Sequence, residues 1–265
     1  MSIIQSIVYG IIQGITEFLP ISSTAHLILV PWFFGWKDPG IAFDVALHLG
    51  TAIAVILFFI KDWIKLIKSG FTHPKSSDGK LFWFLVIATI PGGLAGIFLD
   101  KYMEKLRNPL LIGIVLIVLG IVLYLADKIG KNKIGFKDIG FLRSLVVGIS
   151  QALAIIPGIS RSGITMSTGR FLGMTREGIA KFTFLLSGPI ILADGLYHAK
   201  DLSSTTIDKL PFIIAILTSA IIGVLSIKFL LGYLKKRGFG LFVIYRFILG
   251  IFVIALYFLR LNVIK

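Results

Sequence analysis

Cysteine is absent from this 265-residue chain, and acidic side chains are scarce, 13 Asp and Glu against 27 Lys and Arg. Without cysteine there is no disulfide framework and no thiolate metal site. Charged residues make up only 15% of the chain, where a soluble domain carries about a quarter. The first residues lack a basic stretch followed by a small-residue cleavage site, so they read as mature chain and not as a signal peptide. What fills the space is apolar. Hydrophobic residues reach 56%, above the ~45–50% of ordinary domains, and they gather in blocks such as "PLLIGIVLIVLGIVLYLA" (109–126) and "GLFVIYRFILGIFVIALYFL" (240–259). Runs of about 18 or more apolar residues are membrane-span candidates. Several of them predict an all-α polytopic integral membrane protein, one membrane domain over 1–265. The net charge of +14 does not indicate nucleic acid, because the basic residues sit in connectors between apolar blocks. There they set topology and meet anionic lipid headgroups.

Apolar blocks fall at about 3–19, 21–35, 41–60, 81–99, 109–126, 141–157, 159–172, 179–197, 211–231 and 239–259. Six are predicted to span: 41–60, 81–99, 109–126, 179–197, 211–231 and 239–259. The other four form two pairs, broken at Pro20 and at Pro157–Gly158. The halves 21–35 and 159–172 are too short to cross about 30 Å of hydrocarbon at 1.5 Å per residue. Each pair is therefore expected to be a re-entrant hairpin, tolerable at that depth only where its tip lines a protein-walled or wet cavity.

The chain also repeats itself. At an offset of 138, Gly10 matches Gly148, Gln13 matches Gln151, Ser22 matches Ser160, Leu47 matches Leu185 and Gly50 matches Gly188. Halves of about 1–127 and 139–265 would each hold one hairpin and three spans. Three crossings are odd, so the second half enters from the opposite side, as an inverted-topology repeat with its site near the midplane. Counting basic residues then orients the chain: seventeen fall on the side reached after the first span and eight on the other. The richer side is expected to be cytoplasmic, which puts the termini and the mouth of the first hairpin outside.

Costly polar groups sit at the hairpin tips. Gln5, Tyr9, Gln13 and Glu17 recur every four residues along one helical face, with Thr16 beside them. Gln5 and Tyr9 read as an interhelical seam, whereas Glu17, an ionisable group in a membrane segment, is a functional candidate. After Pro20, "SSTAH" (22–26) opens a new helix. One of Ser22, Ser23 and Thr24 is accounted for as its cap, which leaves hydroxyls spare. His26 shares a face with Ser22 and Ser23. Hydroxyl, imidazole and carboxylate together are the parts of an activated nucleophile. The second tip is "PGISRSGIT" (157–165). Its helix N-terminus offers free N–H groups, Gly163 lets an anion approach, and Arg161 supplies a fork suited to phosphate oxygens. Arg161 can equally pair with Glu17, the pair loosening when an anion arrives. Asp44, His48, Asp194 and Arg246 are further polar residues in apolar blocks. His48 is a weaker candidate lining residue, and Arg246 is expected to snorkel or to pair with a carboxylate. His73 and His198 fall in connectors.

With "QGITEFLPISSTAHL" (13–27), "FDVALHLGT" (43–51), "PGISRSGIT" and "IYRF" (244–247), the chain resembles the undecaprenyl-diphosphate phosphatase family, also linked to bacitracin resistance, over nearly its whole length. The resemblance implies hydrolysis of a C55 polyprenyl diphosphate to the monophosphate and inorganic phosphate, recycling the cell-wall lipid carrier. It also implies a divalent cation, magnesium or calcium, residence in the bacterial cytoplasmic membrane, and a site open to the outer leaflet. The family's acidic motif, Glu or Gln, three residues, then Glu, falls on Gln13 and Glu17. Gln13 removes one possible metal ligand and leaves Glu17 as the metal-binding candidate. The catalytic positions carry over to Glu17, Ser23, His26 and Arg161. Ser22, Thr24, Ser160, Ser162, Gly163, Thr165, Gln13 and His48 are substrate-binding candidates.

Two routes stay open from sequence: in-line attack by Ser23 with His26 as base, or a metal-bound water oriented by Glu17 and His26. Inverted repeats with broken helices are also a transporter architecture, so a carrier of polyprenyl phosphate is the alternative. A bare carrier needs no nucleophile and base. A phosphatase with a histidine nucleophile is disfavoured, since the chain has only four histidines and none follows the second tip in a compatible place. A homodimer is left open.

Overall fold

The computed structural model describes residues 1–99, 102–197 and 209–263; His198 lies outside them. The helices are α1 (Ile3–Thr16), α2 (Ser23–Phe34), α3 (Ile41–Phe58), α4 (Ile60–Thr72), α5 (Ser77–Leu99), the short α6 (Met103–Leu106), α7 (Pro109–Ile129), α8 (Phe141–Gln151), α9 (Arg161–Phe171), α10 (Arg176–Tyr197), α11 (Lys209–Leu234) and α12 (Gly240–Val263). Among the described residues there is no strand, only one isolated bridge between Ile134 and Met174.

Among the described residues, five helical stretches are long and apolar enough to cross a membrane: Ser77–Leu99, Pro109–Ile129, Arg176–Gly195, Lys209–Leu234 and Gly240–Asn262. A sixth is reached only if α3 and α4, bent by 74°, are taken together. The block at 41–60 therefore ends in a bend at Phe59, and the following stretch, expected as a connector, is helix. Its sequence "IKDWIKLIKSGFT" buries Leu66 and Gly70 and exposes Lys61, Lys65 and Lys68, an amphipathic pattern that a search for continuous apolar runs passes over. Asp62 and Asp78 hold Lys181 and Lys65 at 2.6 and 2.8 Å.

Helix starts follow local chemistry. Ser2 and Gln5 close a capping box on α1, so Gln5 belongs to that cap and not to an interhelical seam. Asn108 caps α7 with Pro109 at its first position. Packing joins elements far apart in sequence: α1 lies on α11, which also packs on α3, while α8 lies on α5. Glycine permits these approaches. A Cβ at Gly10 would sit 2.7 Å from Thr218 Cβ, and one at Gly148 would strike the Ala88 backbone. Close approach through small residues is the usual way apolar helices associate in lipid, where no hydrophobic force draws them together.

The distribution of polarity is that of a membrane protein. Large apolar side chains such as Ile90, Val118, Leu217 and Ile251 face outward, while Gln13, Thr51, Arg170, Ser219 and Arg246 are fully buried. Arg170 donates to the carbonyls of Asp127, Gly130 and Met174 and to Asn132 Oδ1, which ties the end of α9 to the loop after α7.

Candidate active site at the two broken helices

The breaks at residues 17–22 and 156–160 end α1 and the α8 region and start α2 and α9. Ser22 caps α2 through Ala25 N–H, and Ser160 caps α9 through Gly163 N–H at 3.1 Å. Both caps hold positive φ, 75° and 71°, a region side chains other than glycine avoid at a cost of about 1–3 kcal/mol. Surrounding contacts must hold that geometry. Ser162 Oγ donates to Leu19 O at 3.1 Å and so joins the two breaks directly.

Glu17 is the hub. Its side chain is 3% exposed. One oxygen accepts from Arg161 Nη2. The other accepts from Ser23 Oγ at 2.7 Å and Gln13 Nε2 at 3.1 Å, with His48 Nε2 at 3.5 Å. A carboxylate from the first tip, a hydroxyl from α2, an arginine from α9 and an imidazole from α3 thus converge on one point. His48, a marginal candidate by sequence, is part of the cluster. Its Nδ1 is fixed by Asp44 O at 2.7 Å.

His26 faces elsewhere. Its Nδ1 lies 2.6 Å from Ser22 O, and since a carbonyl can only accept, Nδ1 carries the proton. In the neutral ring Nε2 then accepts from Tyr245 Oη, also at 2.6 Å, and the two rings stack with centroids 5.7 Å apart. Ser23 therefore gives its proton-bearing contact to Glu17, and the lone pair of His26 is taken by Tyr245. His26 and Tyr245 also line a groove of about 480 Å³, with Ile12, Ile15, Leu19, Phe229, Leu241 and Phe242.

The remaining candidates divide. Ser160 and Ser162 share a 3.1 Å contact at the start of α9. Gly163 packs tightly: a Cβ there would lie 3.2 Å from Ser160 Cβ and 3.5 Å from Arg246 Nη1. Thr165 is fully buried and spends its hydroxyl on Arg161 O and on Thr183, 3.0 Å away, so it supports α9 against α10. Thr24 is half-buried on the first turn of α2.

A family model described as bacitracin resistance protein BacA matches residues 6–252. The chain belongs to the BacA family. Curated relatives agree: an undecaprenyl-diphosphatase of Moorella thermoacetica is 50% identical over 98% of this chain and 100% of its own length. The protein of that name from Desulforudis audaxviator is 51% identical over the same shares, and that of Elusimicrobium minutum is 43% identical over 96% and 98%. Apolar helices and BacA membership together make this a multi-pass bacterial membrane protein.

The cation that the BacA resemblance implies has a limited set of donors. Among the described residues no three His, Cys, Asp or Glu side chains group together as a metal site. The buried Oε1 of Gln13, however, has no hydrogen-bond partner, and it belongs to the side chain whose amide nitrogen holds Glu17. One carboxylate and one free amide oxygen suit a hard cation that takes its other ligands from water and substrate phosphate, the habit of magnesium.

Sequence reading missed Tyr245 as the partner of His26 and Arg246 as a partner of the tips. Arg246 neither snorkels nor pairs with a described carboxylate; it is fully buried and donates to main-chain carbonyls. "IYRF" was the available signal, but nothing in it names the carbonyls it meets.

Proposed function

We propose that this protein is a membrane phosphatase that hydrolyses undecaprenyl diphosphate to undecaprenyl phosphate and inorganic phosphate. The observation that carries the reading is the shared Glu17, which joins Ser23 of one tip to Arg161 of the other. Its relatives' name supports the substrate.

In the resting site Arg161 is occupied by Glu17. An arriving diphosphate competes for that guanidinium, together with Ser160, Ser162 and the N–H groups that open α9. Losing Arg161 releases the Glu17 carboxylate beside Ser23. Ser23 Oγ then attacks the terminal phosphorus in line. The Oγ–P bond forms, the anhydride P–O bond breaks with its electrons leaving on polyprenyl phosphate, and Glu17 takes the hydroxyl proton. Water then attacks the seryl phosphate: the Oγ–P bond breaks as Glu17 returns its proton to Ser23 Oγ, and inorganic phosphate leaves with the protons of the water. Arg161 stabilises the equatorial oxygens throughout. His26, held by Ser22 O and Tyr245, walls the site on the groove side and becomes a base only when Tyr245 releases Nε2. A divalent cation would be held by Glu17 and Gln13 Oε1 with phosphate oxygens, and would supply charge neutralisation.

The isoprenoid chain stays in lipid, since burying each CH₂ is worth about 0.8 kcal/mol. The groove that His26 and Tyr245 line is suited to its first units. The two broken-helix pairs act as re-entrant hairpins of an inverted repeat, α1–α2 with α3, α5 and α7, and α8–α9 with α10, α11 and α12. The bias in Lys and Arg supports the cytoplasmic membrane with the mouth and termini outside.

Purified protein in detergent, given undecaprenyl diphosphate and magnesium, is expected to release phosphate, and Arg161→Ala to lose most of that rate. Full activity in Arg161→Ala overturns the phosphate cradle. Absence of release from wild type overturns the enzyme reading, because lipid flipping needs a bilayer.

A further inference from the structure

A break in a membrane helix leaves carbonyls without their partners, and in hydrocarbon no water replaces them. Here two breaks meet in one place. Arg246, on α12, is fully buried. Its Nη1 donates to Pro20 O at 3.2 Å and to Ile159 O at 3.4 Å, its Nη2 to Gly158 O at 2.7 Å, and its Nε to Leu116 O at 3.1 Å. Pro20 and Gly158 stand at the same offset as the two capping serines, so one guanidinium bridges equivalent carbonyls of the two breaks. Among the described residues no carboxylate pairs with it. Its planar fork is what lets a single side chain reach three elements at fixed angles; an ammonium on a flexible stem has no such geometry.

We infer that Arg246 is the positioning residue of the site: it sets the separation of the two tips and thereby the alignment of Ser23 and Glu17 with Arg161. It does not touch substrate. Resting on the phosphatase reading, this assigns the late Tyr245–Arg246 pair a common task, Tyr245 fixing the His26 ring and Arg246 fixing the two breaks. Because Arg161, Ser160 and Ser162 all belong to the second tip, phosphate binding survives loss of the bridge, whereas the nucleophile on the first tip falls out of line. A displacement of about 1 Å in such a geometry costs on the order of 100-fold in rate.

Arg246→Lys keeps the charge and Arg246→Met keeps most of the stem. Both are expected to lose on the order of 100-fold in kcat, with KM and the inhibition constant of inorganic phosphate within about threefold of wild type. Either variant, monodisperse and folded, that keeps kcat within about threefold overturns the inference. So does loss of phosphate affinity in Arg246→Met with Arg246→Lys unaffected, which would make the charge and not the bridge responsible. Arg246→Lys decides alone if Arg246→Met does not fold. A second readout needs no activity. The chain has no cysteine, so Leu19→Cys with Ser162→Cys reports tip separation through a short bis-thiol-reactive cross-linker. The cross-link is expected with Arg246 in place and severalfold weaker with Lys or Met there. No cross-link with Arg246 present, or an equal one without it, also overturns the inference. Failure of wild type to release phosphate is a separate result, since it sinks the phosphatase reading and leaves the cross-link test standing.

Discussion

Glu17→Gln separates two roles that the structure gives to one carboxylate. Glu17 holds Ser23, and it also occupies the arginine that a phosphate would bind. Gln is isosteric and keeps an oxygen for Ser23, but removes the charge that holds Arg161. The pair is 3% and 20% exposed at its two side chains, so solvent screens it little, and a hydrogen bond to a charged group of this kind is worth about 1.5–3 kcal/mol. At about 1.4 kcal/mol per factor of ten, freeing Arg161 should tighten inorganic phosphate by roughly 10- to 100-fold. Turnover should move the opposite way, falling on the order of 10²–10⁴-fold with loss of the proton acceptor. The assay is phosphate inhibition and kcat on the same detergent preparation, with direct calorimetric titration of phosphate as a check. Arg161→Gln should weaken phosphate and slow turnover together. Phosphate binding that is unchanged or weaker in Glu17→Gln would refute the competition between Glu17 and substrate for Arg161.

Tyr245→Phe keeps the stacked ring but strips the partner from His26 Nε2; a loss of about 1 kcal/mol in stability is expected, with a fall in kcat of about tenfold, read by thermal unfolding and steady-state rates. Ser160→Ala keeps the positive φ and loses the cap, so it should destabilise by about 1–2 kcal/mol, whereas Ser160→Gly, free of the strain, should stay within a few tenths; denaturant titration in detergent compares them. Gln13→Glu adds a second carboxylate beside Glu17 and should lower the half-saturating magnesium concentration about tenfold, measured by metal titration of phosphate release; an unchanged requirement would remove Gln13 from the cation's surroundings.

Local sequence carried the membrane class, because a long run of Ile, Leu, Val and Phe has one solvent in which it is stable. It also carried the helix breaks, since Pro20 and Pro157 interrupt apolar blocks at fixed places. The amphipathic α4 was legible in its spacing of Trp63, Leu66 and Gly70 between lysines, but a search for unbroken hydrophobicity does not see it. The residue types of the site were visible too. Glu17, Ser23, His26 and Arg161 are conspicuous because each is expensive where it stands.

Partnership was not legible. Ser23 meets Glu17, and His26, on the same helical face as Ser23, turns to a tyrosine 219 residues away. Arg161 reaches Glu17 across 144 residues, and Arg246 reaches Pro20 across 226. Periodicity reports which face of a helix a residue occupies, and hydropathy reports which solvent it prefers; both are properties of neighbours along the chain. Which carbonyl a buried guanidinium finds depends on how α12 packs on α7, and that is decided between segments distant in sequence. The sequence by itself therefore determined the solvent, the breaks and the chemical inventory. The tertiary structure alone decided which donor meets which acceptor, because a buried polar group away from water takes its partner from whatever segment the fold brings beside it, however distant in sequence.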